Sequence, residues 1–254
     1  MSIPQRTGKI ETIKIDKFLE DLDLEIGEDI IMGDFDIMGW HLASKVRDKS
    51  SENYRKSGAI FRPNYERGIL VQSLIQTKGL YSILEIGFGR GYVTACAALA
   101  IYNKGVEGKI VTVDPFHEQE KINKLTQAMS SDVLSMVKIE PVAATSDAYF
   151  EKLPEDSKFD LIFIDGDHRY DFVKRDFENA VKHIDRGYIL MDDYHMPSKT
   201  DKDIEVANFV DSLSEEVKRK LVLTDRVLFG DDRSSQGELD YGMVLIPVGD
   251  IEDE

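Results

Sequence analysis

The chain has 254 residues, with 48 acidic against 32 basic side chains and a formal charge of -16; that length suits one large α/β domain with an N-terminal extension and is short for two. So acidic a balance argues against DNA or RNA as a partner, because phosphate binding needs a basic footprint, and it favours a small-molecule substrate. A lone cysteine, Cys96, excludes an intramolecular disulfide, no apolar run reaches the roughly 18 residues of a membrane span, and no signal-peptide pattern opens the sequence, so a soluble protein of the reducing cytoplasm with no membrane partner is expected.

In chain order, residues 1–62 lack any strand-helix rhythm and read as an appended arm. Its polar stretch SKVRDKSSENYRKSG reads as solvated. Its apolar residues Ile30, Ile31, Phe35, Ile37, Met38 and Trp40 read as packing over an active site or across a subunit contact, which makes a homodimer possible. The regular domain, residues 63–254, opens with a helix through NYERGILVQSLIQTKG, in which Leu70, Leu74 and Ile75 share a face and Gly79 is the stop. A buried strand, Tyr81–Ile86, runs straight into Gly87-Phe88-Gly89-Arg90-Gly91. Glycines at alternate positions let the chain turn sharply and bring bare backbone against a ligand. The small apolar residues after Tyr92 suit a helix packed tightly on a sheet, its amide groups aimed at the turn, and Cys96 sits among them as a core filler.

A second strand, Lys109–Val113, ends at Asp114, whose carboxylate can accept hydrogen bonds from both hydroxyls of a ribose. A third, Lys138–Val142, leads through a helix near Asp147–Leu153 to the fourth, residues 159–165, an apolar run fit to be buried on both faces. The following helix, Asp171–Arg186, puts Val173, Phe177, Ala180, Val181 and Ile184 on one side, with Lys182, His183 and Arg186 at its dipole-negative end and Gly187 as terminator. His183 is therefore expected to be structural. A fifth strand at Tyr188–Met191, a helix over about 203–219 and closing strands at Lys220–Thr224 and Tyr241–Val248, separated by the polar loop GDDRSSQGELD, complete a doubly wound, mostly parallel sheet with right-handed crossovers. Ligands of such sheets bind at the carboxyl ends of the strands, and the glycine turn and Asp114 both fall at such ends.

Two further strand ends are rich in acid: Asp165-Gly166-Asp167-His168 after the fourth strand and Asp192-Asp193-Tyr194-His195 after the fifth. Four carboxylates crowded together repel unless protons or a cation sit among them, and a hard divalent ion, Mg²⁺ by preference, is the economical answer. Asp165, Asp192 and Asp193 are the expected ligands. His168 has the intrinsic pKa of a general base and is the first candidate for that role, with His195 second. Asp167 suits helix capping as well as chemistry.

These motifs together resemble the class I S-adenosylmethionine-dependent methyltransferases, and among them a small-molecule O-methyltransferase-like group whose fourth strand runs into Asp-Gly-Asp-His. The resemblance spans roughly Pro63 to Val248. It implies a seven-stranded sheet with one antiparallel strand and a glycine turn facing the methionine part of the cofactor. It also implies a pocket formed by Glu85, Gly87, Gly89, Gly91, Asp114 and Asp165. The adenine is then expected near Ala144, Thr145, Ser146 and Asp147, with Ser146 the preferred contact. The acids after the fourth and fifth strands resemble those of metal-dependent O-methyltransferases, which implies methyl transfer to a hydroxylated small molecule such as a sugar, polyol or phenolic metabolite. No Asn/Asp-Pro-Pro-aromatic sequence and no Pro-Cys nucleophile is present, which disfavours methylation of nucleic-acid bases. A nicotinamide-dependent oxidoreductase is the main alternative, although Tyr92 stands where a dinucleotide turn usually carries its third glycine. A cofactor-binding module without catalysis and a metal-assisted reaction of another kind are further alternatives.

Overall fold

The computed structural model describes residues 10–14, 17–18, 21, 65–89, 91–195, 204–223 and 241–249. The apolar arm residues Ile30 to Trp40 and the loop GDDRSSQGELD lie outside the described residues. The elements are β1 (Glu11–Lys14), α1 (Tyr65–Lys78), β2 (Ser82–Ile86), α2 (Tyr92–Asn103), β3 (Gly108–Val113), α3 (Gln119–Ala128), α4 (Ser131–Met136), β4 (Val137–Val142), α5 (Ser146–Phe150), β5 (Leu161–Ile164), α6 (Tyr170–Lys182), β6 (Gly187–His195), α7 (Val206–Ser212), β7 (Lys220–Leu223) and β8 (Tyr241–Val248).

The strands form one sheet in the order β1-β7-β8-β6-β5-β2-β3-β4. Strands β2 to β6 run parallel to one another, whereas β8 runs antiparallel between β6 and β7. The expected seven strands are thus β2 to β8, an α/β Rossmann-like arrangement, and an eighth joins them. Strand β1 comes from the segment read as an arm, and it pairs parallel with β7, Glu11 opposite Lys220. Four residues with one apolar side chain among them, ETIK, are too short a pattern to separate from a coil by period, so only the free edge of β7 reveals them as a strand.

Alternation along the strands divides the core. On one face Ile83, Ile110, Leu161, Phe163 and Leu190 pack under α1 and α2, where Leu70, Leu74, Ile75 and Cys96 are fully buried as expected. On the other, Leu84, Ile86, Val111, Ile162, Ile164 and Ile189 pack under α6 and α7 through Val173, Phe177, Ala180 and Phe209. Because side chains alternate with a period of two, the runs LIFI and ILMD supply both faces at once.

Some boundaries differ from the sequence reading. Gly79 ends α1 with φ 68 and donates to the Ile75 carbonyl at 3.1 Å, as expected of a left-handed stop. Helix α6 ends at Lys182, not Arg186, because His183 leaves the helix to bond the Ser157 carbonyl through Nδ1 at 2.9 Å and to stack on Phe150. Val181, expected on the buried side, is 41 % exposed. Helix α7 stops at Ser212, where Leu213 turns to an extended backbone, well short of residue 219. Strand β6 continues past Met191 through the acid pair to His195. No helix among the described residues is long and apolar enough to cross a membrane.

Candidate active site

The order of strands reverses at β2, which has β3 on one side and β5 on the other, so the carboxyl ends of β2 and β5 open a crevice. The glycine turn fills its floor. Gly87, Gly89 and Gly91 have φ of 92, 54 and 80, all left-handed. Gly87 is pinned between strands: its amide donates to the Val113 carbonyl at 2.9 Å, and a Cβ there falls 2.0 Å from the Asp165 carbonyl oxygen. At Gly91 the obstacle is the buried Phe88 ring, 2.6 Å from such a Cβ. At Gly89 nothing lies within 4 Å, so its bare backbone faces open space. Helix α2 starts directly behind the turn.

Two carboxylates brace this turn. Asp114, at the end of β3, accepts from the amides of Phe88 at 3.1 Å and Gly89 at 3.3 Å, and from its own loop at Phe116 at 2.7 Å. The acid expected to read the ribose therefore also shapes the glycine turn. Glu85 lies beneath, 2 % exposed, its carboxylate accepting a hydrogen bond from the Thr94 hydroxyl on α2. Burial pushes Glu85 up to about 7, against the hydrogen bond from Thr94, which favours the ionised form. Ser146 opens α5 after β4, behind the cap formed by Thr145. Its hydroxyl bonds Asp176, a 3 %-exposed acid on α6 that burial pushes up to about 6. Asp176 was not legible as a site residue, since its spacing reads only as one polar position on an apolar helix face.

The acid-rich ends of β5 and β6 meet beside this turn. Between Met191 and Tyr194 the ladder with β8 slips, so Asp192 and Asp193 face the single residue Met243, and Asp193 takes φ 56. A regular strand sends consecutive side chains to opposite faces; this bulge lets both acids reach one partner. That partner is Arg67 of α1, which pairs through Nη1 with Asp192 and through Nη2 with Asp193 at 3.1 Å. Asp193 also lies 3.5 Å from Nε2 of His168. One ligand atom each from Asp165, His168 and Asp193 falls within 4.8 Å of the others. Burial pushes Asp165 up to about 8, Asp193 adding to the shift and Arg67 opposing it.

The groups that converge differ from the expected ligand set in one member. Asp192 is 1 % exposed and turned to the guanidinium, so the groups that converge are Asp165, Asp193 and His168. Two carboxylates and an imidazole suit a divalent cation, although an all-oxygen set suits Mg²⁺ better than one with a nitrogen. Asp167 accepts from the backbone amide of Arg169, the N-cap residue of α6, at 3.1 Å and from its guanidinium Nε at 2.9 Å, which lowers its pKa. Glu205 shares the start of α6 with it, accepting from Tyr170 N at 2.9 Å and donating its own amide to the His168 carbonyl at 2.8 Å. The side chain of His195 lies outside the described residues, and its backbone pairs with Tyr241 at the end of β6.

Arg67 was missed in the sequence. A cue was present: it stands in the first turn of α1, where a cation opposes the helix dipole and so calls for an acid elsewhere. Nothing in the sequence says which acid.

Residues 84–194 match the family model described as a methyltransferase domain. No curated protein matches the sequence. Among solved structures, the O-methyltransferase TomG from Streptomyces achromogenes, in complex with SAM, is 16% identical with a TM-score of 0.54, over 92% of this chain and 96% of that one. An O-methyltransferase from Bacillus cereus in complex with SAH is 18% identical with a TM-score of 0.54, over 92% and 96%. The cofactor-bound Rv0187 from MTB is 18% identical with a TM-score of 0.56, over 92% and 95%.

Proposed function

We propose that this chain, which carries a methyltransferase domain of the class I S-adenosylmethionine-dependent fold, transfers the sulfonium methyl group to a hydroxyl oxygen of a small molecule with neighbouring oxygens, assisted by a divalent cation. The observation that carries this reading is the convergence of Asp165, His168 and Asp193 beside the glycine turn. A methyl donor lying along the turn and an acceptor lying over the acids meet at that edge. Two of the structural neighbours bear the word O-methyltransferase and hold SAM or SAH; those ligands belong to those proteins and support the reading by analogy only.

The chain's residues have separate tasks. Gly89 presents backbone to the donor, and Asp114 has a carboxylate positioned to meet a ribose while bracing the turn. Asp165 and Asp193 would hold the cation, which lowers the pKa of a coordinated hydroxyl and fixes its direction. His168, 31% exposed and held beside Asp193, accepts the acceptor's proton. Displacement then passes the methyl group in line from sulfur to oxygen, the sulfonium leaving as the thioether S-adenosylhomocysteine, with most of the acceleration coming from positioning.

A second reading has a specific observation behind it: the imidazole of His168 is close enough to the two carboxylates to be a ligand itself. One experiment separates the two and tests the whole. Wild type and His168→Gln are titrated with S-adenosylhomocysteine and with Mn²⁺, then assayed for methyl transfer from labelled donor to a panel of polyols, sugars and catechols. The base reading expects unchanged binding of both ligands and a loss of turnover of about 100-fold or more. Loss of Mn²⁺ affinity makes His168 a ligand. Failure of wild type to bind S-adenosylhomocysteine removes the methyltransferase reading.

A further inference from the structure

We propose that Arg67 is a built-in antagonist of the cation site: its guanidinium serves as the resident counter-ion of Asp192 and Asp193 and holds down the affinity of the site for a divalent metal. This rests on the cation-assisted reading above. Arg67 reaches the acids from α1, an element remote in sequence from β6, and it is 13 % exposed, so its charge is poorly screened by water. It engages Asp193 through Oδ1, while the other oxygen of the same carboxylate faces His168 at 3.5 Å. A cation among Asp165, His168 and Asp193 therefore shares a carboxylate with the guanidinium and lies one carboxylate width from a like charge. Asp192, 0 % exposed at its side chain, pairs with Arg67 through Oδ2 and accepts the Asp193 amide on Oδ1 at 2.7 Å, so it is withdrawn from the cation.

The arrangement has two consequences for binding. Like charges across a shared carboxylate repel, and the nearest further oxygen donor is committed elsewhere. Removing the guanidinium relieves both. A charge effect at that range is worth about tenfold or more in affinity, because two charges on the cation meet one on the arginine in a partly dry setting.

The test compares Mn²⁺ binding, by titration calorimetry and electron paramagnetic resonance, across the full-length wild type, Arg67→Met and Arg67→Lys, with S-adenosylhomocysteine binding as the check on folding. Arg67→Met should bind Mn²⁺ at least about tenfold more tightly, and Arg67→Lys, which keeps the charge, should stay close to wild type. Because Arg67→Met leaves Asp192 buried beside no cation, a second pair guards against loss of fold. Arg67→Met/Asp192→Asn removes the buried charges together and should bind Mn²⁺ more tightly than Asp192→Asn alone. Unchanged or weaker Mn²⁺ binding on loss of Arg67, with wild type binding the ion, overturns the antagonist role and makes Arg67 a support for the site. Absence of Mn²⁺ binding in every protein overturns this inference together with the cation-assisted reading, and retained S-adenosylhomocysteine binding then shows that the cofactor reading survives.

Discussion

Gly87 and Gly89 stand two residues apart in the same turn, yet the structure assigns them different duties, and alanine at each separates the two. At Gly87 the φ of 92 costs an alanine about 1–2 kcal/mol in backbone strain. A Cβ there also falls 2.0 Å from the Asp165 carbonyl oxygen, with Gly166 N at 2.9 Å, and both obstacles are backbone. Relief means parting the tips of β2 and β5, which loosens the bonds from Gly87 to the Val113 carbonyl at 2.9 Å and from Asp165 to the Ile86 carbonyl at 2.8 Å. Each is worth about 1 kcal/mol net, so Gly87→Ala should cost about 3–4 kcal/mol, a large part of a typical domain's stability. Gly89→Ala meets nothing within 4 Å and takes φ 54, near the left-handed minimum, so it should cost only about 1 kcal/mol. Its methyl group enters the space where a cofactor is expected, and it should weaken S-adenosylhomocysteine binding about tenfold or more. Urea denaturation measures the first effect and calorimetric titration the second. Gly87→Ala within about 1 kcal/mol of wild type, or equal losses of stability at the two positions, refutes the reasoning.

Further expectations concern the supports of the site. Glu85 holds its proton more tightly folded than unfolded, so its favourable contribution is full below about 4.5 and is lost as pH rises to about 7. Glu85→Gln, which stays neutral, should gain on wild type by up to about 3 kcal/mol between pH 5 and pH 8, and a difference in unfolding free energy that stays flat with pH denies the buried, perturbed carboxyl. Asp160 accepts the amides of Tyr81 at 2.9 Å and Ser82 at 2.8 Å, tying the start of β2 to β5, so Asp160→Ala should lose about 2–3 kcal/mol in chemical denaturation. Tyr194 is fully buried and donates to Asp211 at 3.0 Å; Tyr194→Phe should cost about 1–2 kcal/mol by the same measurement, with no change in S-adenosylhomocysteine affinity.

The sequence carried the cofactor half of the site more fully than the acid half, and the reason is distance along the chain. The glycine turn, Asp114 and the buried strands are local patterns: three glycines within five residues announce a left-handed turn, and an acid after a β run announces a strand tip. The doubly wound, mostly parallel class of the sheet followed from alternation of strands and helices. By contrast β1 is a strand only because β7 offers an edge, and the helices α3 and α4 went unread because polar residues such as those of QEKINKLTQA leave few apolar positions to count. The ends of α6 and α7 were overrun for the opposite reason: apolar residues continue the helical period after His183 and Leu213 have already left the helix to satisfy tertiary contacts.

The acid pair shows what a sequence motif leaves out. Two aspartates in a row on a strand imply two faces, and on that rule only one of them can point at a ligand. The bulge at Asp192 and Asp193, with Asp193 at φ 56, overrides the rule at a cost of about 1 kcal/mol or more in backbone strain. Strain of that kind persists only where surrounding contacts hold it, and here the Asp193 amide donates to Asp192 Oδ1 at 2.7 Å while the guanidinium of Arg67, 126 residues from Asp193, pairs with both carboxylates. The bulge and the arginine act together: without the bulge Arg67 could engage a single acid, and with it one oxygen of Asp193 meets the guanidinium while the other faces His168. Any chemistry at Asp165, His168 and Asp193 therefore works with a carboxylate that the bulge has made common to them and to a resident positive charge.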